Sequence, residues 1–304
     1  MRGALAIIGA GRVGRALGRR LHELDWKIGA VITRSEASAR RAVRFIGAGN
    51  SRATLSREVL ASRLILISTP DDAIVKISEE LARIGAEELR GKVVLHTSGA
   101  LNSGALKAVR DHGAAVGSMH PLQSFSGVAI PPLEGKIFAL EGDPAAIRLA
   151  RQIVRALGGL PVQIAGGSKV LYHAAAAFAA GHVLAIEESA TRLLMSAGMK
   201  RGEAVRALLQ LTRQVLENFE RLGPRAAWTG PLARGDYGVI AAHLAAMKRL
   251  PREFSNAYAA LNGLATLVLS PGSAGILTAQ NGDARNKISI VKTLVKIGSA
   301  GGKG

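Results

Sequence analysis

The chain has no cysteine, which removes disulfides, thiolate zinc sites and a cysteine nucleophile together. Aromatic residues make up only 4% of its 304 residues, leaving few platforms on which single-stranded nucleic acid can stack. Acids are also short: 22 Asp and Glu face 40 Lys and Arg, for a formal net charge of +18. The positive residues are scattered, and no basic helix or RNA-binding signature gathers them. They read as a solvated basic surface that suits a phosphate-rich ligand, with nucleic acid not expected as a partner. A long hydrophobic run is missing as well. The stretch 174–186 is about 13 residues where a membrane span needs ~20, so a buried helix and no membrane association are expected. Met1-Arg2-Gly3 leads directly into an apolar run, leaving no cleavable signal, and a cytoplasmic location is expected. No His, Asp and Glu spacing suits a metal, and none is expected.

What is present begins at Leu5-Ala6-Ile7-Ile8, a short apolar run that ends in Gly9-Ala10-Gly11-Arg12-Val13-Gly14. A strand, then G-x-G-x-x-G, then a helical pattern is the order a dinucleotide-binding turn requires. Gly9 permits the tight turn, Gly11 lets backbone approach a pyrophosphate, and Gly14 allows close packing of the helix. Arg12 and Val13 sit where the helix N-terminus offers free N–H groups to phosphate. In NAD-specific folds an acid at the end of the second strand binds the ribose 2′-hydroxyl. That place holds Thr33-Arg34-Ser35 instead. Arg34 can pair with a 2′-phosphate and the two hydroxyls can donate to it, so NADP(H) is expected ahead of NAD. Two further strand ends, Thr69-Pro70 and Thr97-Ser98-Gly99, are expected to line the crevice. Thr69, Pro70, Thr97 and Ser98 are assigned to the cofactor, and Ser98 and Gly99 also to substrate.

The first half alternates apolar β runs with helical stretches, which predicts a mostly parallel, doubly wound sheet covered on both faces. From residue 168 onward the periodicity is helical, over 168–197, 201–222, 236–248, 251–269 and 271–281. The expected organisation is a Rossmann domain over 1–165, a helical domain over 166–284 and a basic, flexible tail over 285–304.

Several strings carry a specific resemblance. Gly117-Ser118-Met119-His120-Pro121-Leu122-Gln123-Ser124-Phe125, Tyr172-His173-Ala174-Ala175-Ala176 and Thr229-Gly230-Pro231-Leu232-Ala233-Arg234-Gly235-Asp236 join the glycine turn, Ser68–Asp72 and His96–Ala100. Together, over about residues 3–280, the chain resembles Rossmann-like proteins with a DUF2520 C-terminal domain. That family is similar to the 6-phosphogluconate dehydrogenase-like group, which includes β-hydroxyacid dehydrogenases, ketopantoate reductase, pyrroline-5-carboxylate reductase and prephenate dehydrogenase. The resemblance implies an NAD(P) domain followed by a helical domain, often a homodimer, acting on a small molecule. It also places Lys169 at the position of the group's catalytic lysine, with His173 where asparagine is usual.

Hydride transfer to a carbonyl or imine requires a proton donor beside the reacting carbon. Lys169 and His173, four residues apart, are candidates for it, and either suits the role. His120, expected in a loop beyond a strand end, is a third catalytic candidate. Gln123 and Arg234 are assigned to substrate, and Asp236 to capping the helix that follows. His96, at the end of a buried strand, reads as structural. The expected function is an NADP-dependent oxidoreductase acting on a small carboxylated keto or imino compound. The rival is a non-catalytic NADP-binding sensor, since fold does not prove turnover.

Overall fold

The computed structural model describes residues 4–269. The expected helix over 271–281 and the tail over 285–304 lie outside them. The order opens β1 (Leu5–Ile8), α1 (Arg12–Glu23), β2 (Ile28–Ile32), α2 (Glu36–Ile46) and β3 (Asn50–Arg52). It continues through β4 (Leu64–Ile67), α3 (Asp71–Gly85), β5 (Val93–His96), α4 (Lys107–Asp111) and β6 (Ala115–Pro121). Then come β7 (Ile137–Gly142), α5 (Pro144–Ala156), β8 (Leu160–Gln163) and α6 (Lys169–Ala177). The eight strands form one sheet in the order β3-β2-β1-β4-β5-β6-β7-β8. Every neighbouring pair is parallel except β6 and β7. The doubly wound, mostly parallel sheet read from the sequence is thus present.

Its two cores follow from the period of two along each strand. Leu5, Ile7, Leu64, Leu66 and Leu95 face one side, where Leu17, Ile46 and Ile153 of α1, α2 and α5 cover them. Ala6, Ile8, Ile65, Ile67 and Val94 face the other, under Ile74, Leu81 and Val109 of α3 and α4. Strands buried on both faces carry continuous apolar runs, which is why they were legible. β3 (Asn-Ser-Arg) and β8 (Leu-Pro-Val-Gln) escaped sequence reading because neither is a continuous apolar run and both are largely exposed edge strands. The order reverses between β1 and β4, so the carboxyl ends of these two strands open the crevice in which doubly wound sheets bind ligands.

The chain divides into two compact units, one up to His182 and one from Val183. The change from α/β to helical pattern comes earlier, near 165, yet α6 stays with the first unit because Lys169 on its first turn is buried there. After α6 a π-helical turn, Phe178–His182, leads into the second unit. That unit contains α7 (Val183–Ser196), α8 (Arg201–Ala227, broken at Gly223), α9 (Pro231–Arg234), α10 (Tyr237–Ala246) and α11 (Arg252–Leu269). Its small core joins Ile240, Leu244 and Ala259.

The buried helix expected over 174–186 is not found. Gly166–Ser196 is long and apolar enough to cross a membrane by length and composition, and none of its most apolar stretch is buried. Phe178 is 57% exposed and Leu184 71%.

Candidate functional site

The glycine turn is built as its sequence requires. Gly9 has φ +86°, in the left-handed region, and a Cβ there would lie 2.7 Å from the backbone of Ser68 and Thr69. A Cβ on Gly14 would lie 2.4 Å from the Gly9 carbonyl oxygen. Gly11 differs: a Cβ there would meet nothing within 4 Å, so the turn leaves open space above the start of α1. Arg12 is exposed at that start and Val13 half-buried. Across the crevice, the Thr69 hydroxyl is buried without a hydrogen-bond partner. Thr69 is therefore no helix cap. Pro70 occupies the N-cap of α3 instead, with Asp71 and Asp72 in its first turn.

At the end of β2, Thr33 Oγ1 donates to the Ser35 carbonyl (2.9 Å), and Ser35 Oγ caps α2 by accepting from Ser38 N–H (3.3 Å). Arg34 between them is exposed and makes no ion pair or hydrogen bond among the described residues. Open backbone at Gly11, an orphaned hydroxyl at Thr69 and a free guanidinium at Arg34 fit a dinucleotide bearing a 2′-phosphate.

A second group of residues meets at the ends of β5 and β6. Lys169, 1% exposed, donates from Nζ to the Ser98 carbonyl and to Ser118 Oγ, both at 2.7 Å. Ser118 Oγ in turn donates to the Ser98 carbonyl (3.1 Å). Burial pulls the Lys169 ammonium down to about 8, against the carboxylates of Glu141 and Asp71, which hold it up. Its neighbour His120 is a strand residue, paired with Ala139 across β6 and β7, and does not sit in the loop expected for it. The strand runs through His120-Pro121 because Pro121 needs no N–H on that edge of the ladder. His120 Nδ1 hydrogen-bonds Tyr172 OH at 2.8 Å. Burial pushes the His120 imidazole down to about 4, with the Lys169 charge adding to it, and pushes the Tyr172 phenol up to about 12. Both are neutral at pH 7.

The His173 ring stands perpendicular to that of His120, with centroids 5.7 Å apart. Gly99 makes room for both. A Cβ there would lie 2.3 Å from His173 Nδ1 and 2.9 Å from His120 Nε2. Lys169 and His173 share a helix side as their spacing implied, but Lys169 is sealed while His173 is exposed.

Three of the assigned residues also make internal hydrogen bonds. The Ser98 hydroxyl donates to Asp71 Oδ2 (2.8 Å) and accepts from the Ala100 and Leu101 N–H groups. Gln123 ties its own loop, donating to the Pro132 carbonyl (3.1 Å) and accepting from Ser124 N–H. Thr97 Oγ1 donates to Ser68 Oγ (3.1 Å), joining the two strand ends. Arg234 lies in the second unit and pairs with Asp236 (2.8 Å), whose carboxylate does not cap α10. His96 is structural. Its Nδ1 accepts from Ser98 N–H and its Nε2 donates to the Asn102 carbonyl, fixing the neutral tautomer, and burial pushes it down to about 4.

Tyr172, Ser118 and Glu141 were missed. Glu141 accepts from Ser103 N–H (2.6 Å) and Ser103 Oγ (2.8 Å), and lies opposite Ser118 in the β6–β7 ladder. A signal existed for two of them. Ser118 and His120 are two apart on one strand, hence on one face, and Tyr172 follows Lys169 by one helical turn. Among the described residues no group of His, Asp and Glu is placed to hold a metal.

Comparison with known proteins agrees with this architecture. Residues 1–121 match the Rossmann-like domain, and residues 136–264 match the domain of unknown function DUF2520. Curated proteins gave no match. Among solved structures, a candidate NADP oxidoreductase from Bacteroides fragilis superposes with a TM-score of 0.71 at 21% identity, over 86% of this chain and 96% of that one. A protein from Thermotoga maritima gives 0.60 at 22% identity, over 98% and 100%. The reductive aminase from Aspergillus terreus, solved with NADPH and ethyl-5-oxohexanoate, gives 0.63 at 18% identity, over 98% and 95%. At these identities the likeness is one of fold. The chain is a Rossmann-like protein with a DUF2520 domain, as its His-Pro-Leu-Gln and Arg-Gly-Asp strings indicated.

Proposed function

We propose that the protein is an NADP-dependent oxidoreductase that reduces a small carboxylated keto or imino compound, with Lys169 as the proton source. The observation that carries this reading is a lysine, 1% exposed, held by the Ser98 carbonyl and Ser118 hydroxyl at the carboxyl ends of β5 and β6. A charge buried without a carboxylate in contact costs stability, so a site that keeps one has a use for it. The bound cofactor would supply the hydride. Gly9, Gly11, Arg12, Val13 and Gly14 would hold its pyrophosphate by backbone and helix N-terminus, Thr69 and Pro70 would line its ribose, and Thr33, Arg34 and Ser35 its 2′-phosphate.

The protein's own part is positioning and proton supply. Lys169 has two of its three N–H bonds fixed and keeps one proton to give. With its pKa drawn to about 8, it gives that proton at neutral pH more readily than an exposed lysine. His120 and Tyr172 are neutral and can orient a polar substrate atom without competing for its charge, and exposed His173 can meet the substrate beside Gly99. The names of similar folds support the reading: a reductive aminase solved with NADPH, an imine reductase from Streptomyces aurantiacus and a pyrroline carboxylate reductase from Plasmodium falciparum with NADP bound.

The experiment is cofactor preference. Arg34→Ser is expected to weaken NADPH binding by at least about tenfold and leave NADH within about twofold, measured by calorimetry. Equal losses for both cofactors would remove Arg34 from the 2′-phosphate and with it the case for NADP.

A homodimer belongs to the same proposal. In the second unit Leu184, Leu211, Leu216 and Phe219 are each more than half exposed. A second copy would cover such apolar faces. Light scattering is expected to give about twice the 31.6 kDa chain mass, and a value near one chain would refute the pairing.

A further inference from the structure

The crevice opens at the carboxyl ends of the strands. At the opposite, amino ends of β4, β5 and β6 the first unit carries a half-open surface pocket of about 430 Å³. Arg63 and Lys92 immediately precede β4 and β5, and Arg148 reaches the pocket from α5 with Leu149 and Gln152 beside it. Three cations from three separate segments line it, and no carboxylate does. The Arg63 and Arg148 guanidinium groups make no ion pair or hydrogen bond among the described residues, and Lys92 Nζ donates only to the Ser62 carbonyl (3.2 Å). Gly91, at φ +75°, leaves the mouth clear, since a Cβ there would meet nothing within 4 Å.

Gathering like charges in one concavity is unfavourable unless a counter-ion joins them. The basic groove between α2 and β3 is a useful contrast. Arg40, Arg41, Arg44 and Arg52 line it, but Glu36 pairs with Arg40 at 3.1 Å and Glu58 with Arg52 at 2.6 Å. Half of that charge is paired within the protein, whereas in the pocket below the sheet Lys92 alone has a carboxylate, Glu88, close enough to respond to its charge, and neither arginine is paired. Guanidinium forks match phosphoryl oxygens bidentately. The remaining walls are Val93, Ala115, Ala145 and Leu149, with no aromatic ring on which a base could stack.

We propose that this pocket binds a small phosphorylated metabolite, at a site separate from the crevice and with no recognition of a nucleobase. The inference rests on the pocket alone and stands whether or not the protein is an oxidoreductase.

The test is calorimetric titration of the full chain with inorganic pyrophosphate, comparing two variants that each remove two exposed arginines. Arg63→Ser/Arg148→Ser is expected to weaken one binding event by at least about tenfold, and Arg41→Ser/Arg44→Ser to change it by less than about twofold. Circular dichroism checks that both variants fold. Equal losses in the two variants would reduce the effect to net charge and overturn the proposal. So would unchanged binding in Arg63→Ser/Arg148→Ser, or no binding by the wild type. Citrate binding more tightly than pyrophosphate would overturn the phosphoryl assignment.

Discussion

Gly9→Ala is expected to destabilise the first unit by about 3 kcal/mol and to abolish cofactor binding. Two penalties add. An alanine held at φ +86° costs ~1–2 kcal/mol, and a methyl group pressed into a packed neighbour costs ~1–3 kcal/mol. The neighbour cannot yield, since a Cβ would lie 2.7 Å from the backbone of Ser68 and Thr69, the strand end that forms the far wall of the crevice. Relief must therefore come from moving the turn, which is the part proposed to hold the pyrophosphate. Urea denaturation reads the first effect and NADPH titration the second. Gly11→Ala serves as the comparison. Its methyl group enters open space, so stability is expected to change by less than about 1 kcal/mol, while NADPH binding still falls because that space is the proposed pyrophosphate site.

Lys169→Met is expected to lower NADPH turnover by at least about 100-fold while leaving the folded protein as stable or more so. The sign follows from the shifted ionisation. Folded, Lys169 releases its proton near 8, against 10.5 for a free lysine, because burial disfavours the ammonium. Between these values the unfolded chain binds the proton more tightly, so wild-type stability rises as pH rises from 8 to 10.5 and is at its lowest level, as far as this group is concerned, below 8. The gain is on the order of 3 kcal/mol, and Lys169→Met is expected to lack it. Methionine fills the same space without the charge, and the Ser98 carbonyl keeps the Ser118 hydroxyl as a partner. Activity has the opposite slope. Reduction needs the protonated amine, so the wild-type rate is expected to fall about tenfold per pH unit above 8. A variant that loses both stability and activity would make Lys169 a structural tie.

How much of this was legible depended on how local each feature is. The strand–glycine–helix order, the arginine at the end of β2 and the central strands are written in contiguous residues, and the structure places them as read. The cluster around Lys169 is assembled from β5, β6, β7 and α6, so its hydrogen bonds have no sequence signature beyond the i, i+2 and i, i+3 spacings of Ser118 with His120 and Lys169 with Tyr172. The hydrogen bonds of Ser98 and Gln123 were hidden for a related reason: a hydroxyl or amide in a turn suits a ligand or a loop brace equally, and its internal partners are not written beside it. His120 was displaced from loop to strand because Pro121 ends most strands, but here continues one that pairs antiparallel to β7. The exposed helix over 174–186 shows the same limit from the other side. Its composition is that of a core helix, and what covers it is not written in its own residues.

The central claim is that hydride passes from NADPH to a carbonyl or imine carbon in the first unit's crevice. It is tested most directly by incubating the full chain with NADPH deuterated at the transferable position and a panel of α-keto acids and cyclic imino acids, then weighing the products. One deuterium on the reduced carbon of at least one acceptor, absent with Lys169→Met, is the predicted result. Tight NADPH binding with no deuterium in any acceptor would contradict it, and would make the protein a sensor of the cofactor.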